Sequence, residues 1–143
     1  MIIKRCSEAD ELFYRLHVVS KEMNRAFESM TQTSLTKLEI LFHIDLLGEI
    51  GQMELINRLQ LDAAAVTRHL KCLEAEGLIS RNKVDRDKRL ILLRLTEQGQ
   101  RERERLTKIK GKLQEQILAG FTNSQIIEVS KLIEHISQKI KEV

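Results

Sequence analysis

Residues 62–89 read Asp62-Ala-Ala-Ala-Val-Thr-Arg-His-Leu-Lys-Cys-Leu-Glu-Ala-Glu76-Gly-Leu-Ile-Ser-Arg81-Asn-Lys-Val-Asp85-Arg-Asp-Lys-Arg89, and they decide the fold. The first half is an amphipathic helix with an apolar seam at Val66, Leu70 and Leu73. At about 100° per residue, the opposite side carries Ala64, Arg68, Lys71 and Ala75, with Thr67 on the flank. That outward face is basic, and Ala63 and Ala64 keep its start small. Such a face fits deep in a DNA major groove. Asp62 is a good N-cap and Gly77 a good stop. The second half is a basic hairpin. It sets Arg81, Lys83, Arg86, Lys88 and Arg89 against Asp85 and Asp87, a balance of +3, equal to the net charge of the whole chain. The basic excess is concentrated where a hairpin meets phosphates.

Working outward, a shorter helix begins near Met53 and contributes Leu55, Leu59 and Leu61 to the core, so a helix, tight turn and helix span about Met53 to Glu76. The hairpin strands are expected at 78–83 and 89–95. In the second strand, Leu90, Leu92 and Arg94 alternate with Ile91, Leu93 and Leu95, so one face packs onto the helices. An extended piece around Ile50 is placed to add a third strand.

Long helices flank this centre. Ser7, with Asp10 three residues on, opens one whose apolar positions are Leu12, Leu16, Val19, Met23, Ala26 and Met30, a heptad seam. The next is expected from Thr36, boxed by Glu39, to Gly48, burying Leu38, Leu41, Phe42 and Leu46. Thr96 caps a further long helix. Its charge run at 101–105 reads as a solvated face with intrahelical ion pairs, followed by Leu106, Ile109, Leu113 and Ile117. After Gly120, Thr122 and Gln125 form a capping box, and Phe121 and Ile126 a staple, for a last helix with Ile126, Val129, Ile133, Ile136 and Ile140 on one side. The expected fold is mainly α with a small β-wing: six helices in an α+β winged helix-turn-helix. Residues 34–96 form the DNA-binding domain, and 1–33 and 97–143 form dimerisation helices. Apolar stripes of this length are a liability in a monomer, and a two-fold homodimer built from the termini covers them.

Three segments together, Leu73-Glu-Ala-Glu-Gly-Leu-Ile-Ser-Arg81, Asp85-Arg-Asp-Lys-Arg89 and Leu93-Arg-Leu-Thr-Glu-Gln-Gly99, resemble the winged-helix core of the MarR family of bacterial transcriptional regulators. Leu35-Thr36 and the closing helical pair extend the likeness over nearly the whole chain. The resemblance implies a homodimeric repressor that binds a pseudo-palindromic double-stranded DNA operator and is released by a small-molecule effector. It implies wing contacts from Arg81, Arg86, Lys88 and Arg89, with Arg86 or Arg89 in the minor groove. Phe13, Tyr14 and His17 are then candidates to line the crevice where relatives bind phenolic or amphipathic effectors, with interface packing as the other role open to them. Two places depart from the family pattern. Asp85 lies two residues before Asp87, where relatives have three, which shortens the wing tip by one residue. The turn between the paired helices holds Gln60 where relatives hold glycine. A side chain in the left-handed region costs roughly 1–2 kcal/mol.

Other classes find little support. No nucleophile–base pair, phosphate loop or paired-carboxylate site stands out, so an enzyme is not expected. Cys6 and Cys72 are far apart, lack metal-ligand spacing and read as reduced thiols. Peroxide-sensing relatives carry a reactive cysteine at the place of Leu12, so that chemistry does not transfer. His17, His43, His69 and His135 make no metal-spaced pair, and the fifth-helix His-x-x-x-His of zinc-binding relatives is missing. No metal and no cofactor are expected. No apolar run approaches the roughly 18 residues of a membrane span. The N-terminus charges too early for a signal peptide, so a cytoplasmic protein is expected. Two rivals remain: a protein-interaction adaptor without DNA affinity, which calls for apolar residues on the outward helix face, and an effector-less architectural DNA binder.

Overall fold

The computed structural model describes residues 7–84 and 86–143, apart from the side chains of Asp87 and Lys88. Cys6, Asp85 and the Lys88 side chain, all singled out above, lie outside that description. Helices α1 (Glu8–Thr31), α2 (Leu35–Leu47), α3 (Gln52–Leu59), α4 (Ala63–Ala75), α5 (Glu97–Ile117) and α6 (Asn123–Lys141) are joined by strands β1 (Ile50–Gly51), β2 (Ile79–Val84) and β3 (Asp87–Leu95). The sheet is antiparallel in the order β1-β3-β2, and the extended piece at Ile50 supplies its third strand. This is the winged helix-turn-helix expected.

Local chemistry sets most boundaries. Ser7 and Asp10 exchange the two bonds of a capping box at α1, and Thr122 and Gln125 do the same at α6. Gly48, Gly77 and Gly120 all take positive φ at the turns that follow α2, α4 and α5. At α2 the cap is Ser34, not Thr36. The Ser34 hydroxyl accepts from the Lys37 amide at 3.2 Å, and the helix starts one residue earlier than expected. The hairpin also runs further than expected. Val84 pairs with Asp87 after a register shift at Lys83.

The chain forms two compact units, Met1–Lys110 and Gly111–Val143. The core of the first lies where α2, α3, α4 and the sheet meet. Leu38, Ile40, Leu41, Ile44, Leu55, Leu59, Val66, Leu70, Leu73 and Leu93 are all buried there. Two assignments need correcting. Phe42 and Leu46 are 44% and 65% exposed, and Ile40 and Ile44 take the buried places in α2. Leu61 lies exposed beside the turn. In α1 only Phe27 and Thr31 are buried, and its seam residues Leu12, Val19, Met23 and Met30 stand exposed. In the second unit no residue of α6 is buried, and Val129, Ile133 and Ile140 are exposed.

Within the first unit, the start of α5 is fixed against the turn that follows α4. Thr96 donates its hydroxyl to the Gly77 carbonyl at 2.6 Å and accepts from the Gly99 amide at 3.0 Å. Gly99 lies against Leu78 so closely that a Cβ there would fall 1.9 Å from the Leu78 carbonyl oxygen. Further along, Arg103 reaches α2. Its Nε lies 3.1 Å from an Asp45 carboxylate oxygen, and its guanidinium sits 5.7 Å from the centre of the Phe42 ring. Arg101 and Arg105 make the intrahelical pairs expected of the charge run, with Glu97 and Glu102. Arg103 does not.

Candidate nucleic-acid interface

The turn that presents α4 is set by Gln60, which takes the left-handed conformation at φ 52°, ψ 34°. The strain foreseen for a non-glycine residue is therefore carried. Asp62 then caps α4, its carboxylate accepting from the Ala65 amide at 3.0 Å. With Val66, Leu70 and Leu73 buried, the helix has one way to face. Ala63, Ala64, Arg68, Lys71 and Ala75 are exposed, and Thr67 is half-buried beside them. Thr67 donates its hydroxyl to the Ala63 carbonyl at 2.8 Å, which leaves its oxygen free only to accept.

Between residues 34 and 96 the basic side chains divide by whether a carboxylate neutralises them. Lys37 pairs with Glu76, Arg58 with Glu54, Arg81 with Glu74, and Arg94 with Glu49, at 3.0, 3.2, 3.4 and 2.8 Å. Arg68, Lys71, Lys83 and Arg86 are exposed and have no carboxylate partner among the described residues. Within that range the positive charge left unpaired therefore lies on the outward face of α4 and on the hairpin. Arg89 is exposed on β3. Between Arg68 and Lys71 lies half-buried His69, whose pKa is held below its ordinary 6.5 by burial first, then by the charges of Lys37 and Arg68.

Arg81 is set apart from the other candidates. Its side chain is 17% exposed. Its Nε and Nη2 donate to the Gln52 side-chain oxygen at 3.3 and 2.9 Å, and its Nη1 donates to Glu74 at 3.4 Å. Reasoning from sequence missed Gln52 and Glu74, because nothing in their spacing marks them as partners of a residue on β2.

The effector candidates are all exposed on α1. Tyr14 lines a shallow depression of about 380 Å³ together with Glu11, Arg15, Val18, Val19 and Glu22. Phe13 and His17, one turn apart, are not among its lining residues. Cys72 is a free, exposed thiol on α4. Among the described residues, no group of three or more His, Cys, Asp or Glu side chains is placed to hold a metal ion, and no helix is long and apolar enough to cross a membrane.

The MarR family model matches residues 33–91, from the cap of α2 into β3. An HTH-type transcriptional regulator of Bacillus subtilis, YdgJ, is 40% identical over 120 residues, covering 82% of this chain and 71% of the relative. The chain belongs to the MarR family. A second Bacillus subtilis relative, the organic hydroperoxide resistance transcriptional regulator, is 30% identical over 109 residues, covering 71% of each. Among solved structures, the organohalide-sensing regulator RdhR in its 2,4-dichlorophenol-bound form matches with a TM-score of 0.89 at 20% identity, over 96% of this chain and 83% of that one. A cysteine-to-serine mutant of MarR from E. coli, complexed with operator DNA, matches with a TM-score of 0.80 at 24% identity, over 90% and 95%. This MarR-family protein is thus a transcriptional regulator and not an enzyme.

Proposed function

We propose that this MarR-family regulator is a cytoplasmic homodimeric repressor that binds a pseudo-palindromic double-stranded operator and releases it when a small molecule binds. The observation that carries the DNA reading is the separation of charge described above. Between residues 34 and 96, four basic residues are neutralised by carboxylates, while Arg68, Lys71, Lys83 and Arg86 stand exposed and unpaired on α4 and the wing. In this reading α4 enters the major groove. Ala63 and Ala64 allow close approach, Thr67 accepts a bond at the flank, Arg68 reads a base edge and Lys71 meets phosphate. Arg86, Lys88 and Arg89 carry the wing to the neighbouring backbone and minor groove. Residues 34–96 make up the DNA-binding domain. Residues 1–33 and 97–143 form the dimer, supported by the exposed apolar stripes of α1 and α6. Tyr14, which lines the depression on α1, and Phe13 and His17 on the same helix are the effector candidates, and the dichlorophenol bound by a fold relative makes aromatic effectors the first class to try.

An adaptor calls for apolar groups on the outward face of α4, and the exposed large residues there are Arg68 and Lys71. The deciding experiment is selection of bound duplexes from a random DNA pool by the full-length protein. Recovery of a two-fold symmetric site, with half-sites about one helical turn apart, is expected. Recovery of no enriched sequence sinks the operator reading.

A further inference from the structure

Arg81 looks from sequence like one more wing arginine aimed at phosphate, and its surroundings say otherwise. It is the third residue of β2, paired in register with the buried Leu93 of β3. Strand β3 also pairs with β1, whose Ile50 faces Leu93 and whose Gly51 faces Leu92. Gln52, the first residue of α3, follows directly. The Arg81 side chain therefore crosses the sheet from its outer strand to the helix that leaves the opposite strand. Nε and Nη2 converge on one Gln52 oxygen, while Nη1 turns to Glu74 in α4. One planar group thus joins the wing, the first helix of the helix-turn-helix and the second. Glu74 offsets its charge, and only 17% of the side chain is open to solvent.

We propose that Arg81 is a positioning residue for DNA recognition and makes no phosphate contact. It fixes the wing base relative to α4, so that Arg68 and Arg86 reach the duplex together. The physical reason is geometric. The chain from α4 to β2 is only Glu76, Gly77 and Leu78, and Gly77 sits at φ 76°. That connection sets the direction of the hairpin, and a rigid fork with two partners locks it. Lysine, a flexible point charge without the planar fork, does not hold Gln52 and Glu74 in one fixed geometry.

The inference rests on the DNA reading above, and one experiment separates the two. The probe is a duplex selected from a random pool by the full-length wild-type protein, with affinity measured across a range of salt concentrations. Proteins are compared only at temperatures where each gives the folded circular dichroism signal. If the wild type selects no duplex, the DNA reading fails and this one fails with it. Given a wild-type site, Arg81→Lys is expected to bind about tenfold more weakly, the scale of losing one well-placed base contact. Arg81→Ala should bind as weakly. In the Arg81→Ala background, Arg86→Ala should add little, because the tip is no longer presented. Gln52→Ala keeps the arginine but removes its acceptor, and should weaken binding in the same direction. A phosphate contact predicts the reverse: near-wild-type binding by Arg81→Lys, and losses in Arg81→Ala and Arg86→Ala that add. That result overturns the proposal. So does unchanged affinity in Arg81→Lys and Gln52→Ala, or full additivity of the Arg81 and Arg86 losses.

Discussion

Gly99 has no chemistry to offer, yet it sets how α5 joins the winged unit. A side chain there has no escape by rotation, because the atoms it meets, 1.9 and 2.9 Å away, belong to the backbone of Leu78. Gly99→Ala is expected to destabilise the protein by about 3 kcal/mol, at the upper end of the cost of overpacking. Urea unfolding of the variant checks this, and an unchanged midpoint would mean that α5 can lift away freely. His69 gives a second test at this scale. Its folded pKa lies below 6.5, so the unfolded chain takes up a proton first as pH falls. The neutral imidazole supports the fold fully above pH 6.5, and that support is lost as pH drops through the lower folded value. Thermal midpoints measured at about pH 7.5 and about pH 5.5 bracket the ordinary histidine range. The wild type should lose more over that interval than His69→Gln. Equal losses would assign the acid sensitivity to other groups.

Among the elements, α4 was the most legible, because its information is one-dimensional. A seam at Val66, Leu70 and Leu73 leaves a single outward face, and Asp62 fixes where the helix begins. The same face yields a prediction that separates two roles. Arg68→Ala should cost about 1–3 kcal/mol on the preferred duplex and relax preference at one base pair. Lys71→Ala should weaken every sequence alike and lower the salt slope by about one unit. Equal losses on specific and random DNA in both variants would remove Arg68 as the reader. Helix α2 was less legible. Leu38, Ile40, Leu41, Phe42, Ile44, Leu46 and Leu47 surround it with apolar side chains, so periodicity cannot choose the buried side. Tertiary neighbours choose instead, and one of them is Arg103 above the Phe42 ring. The partners of Arg81 and Arg103 were hidden for a related reason. Gln52 lies 29 residues before Arg81, and only the folded sheet brings them together. Helix boundaries fared better where a capping pair was unambiguous, as at Ser7 and Thr122. Where Ser34 and Thr36 competed, the serine won by reaching the Lys37 amide.

At the scale of the whole molecule, the exposed stripes of α1 and α6 predict a dimer at roughly micromolar concentration, since patches of this kind on a monomer mark association sites. Ile133→Glu with Ile136→Glu places two charges in the α6 stripe and should give monomer or insoluble material. Sedimentation showing an unchanged dimer would exclude α6 from the interface. Helix α5 runs unbroken from Glu97 to Ile117, across the boundary between the two units at Lys110 and Gly111. An uninterrupted helix behaves as a screw thread. Deleting one residue from its exposed middle shortens it by about 1.5 Å and turns everything beyond by about 100°. Deleting seven removes nearly two whole turns and leaves the phase about 20° from where it began. In a dimer joined through the terminal helices, operator binding by such deletion variants should therefore oscillate with the number of residues removed. One deletion abolishes binding to the natural spacing, while seven restore part of it on a duplex whose half-sites are moved to match. A loss that grows steadily with deletion length would show that α5 does not transmit rotation at all.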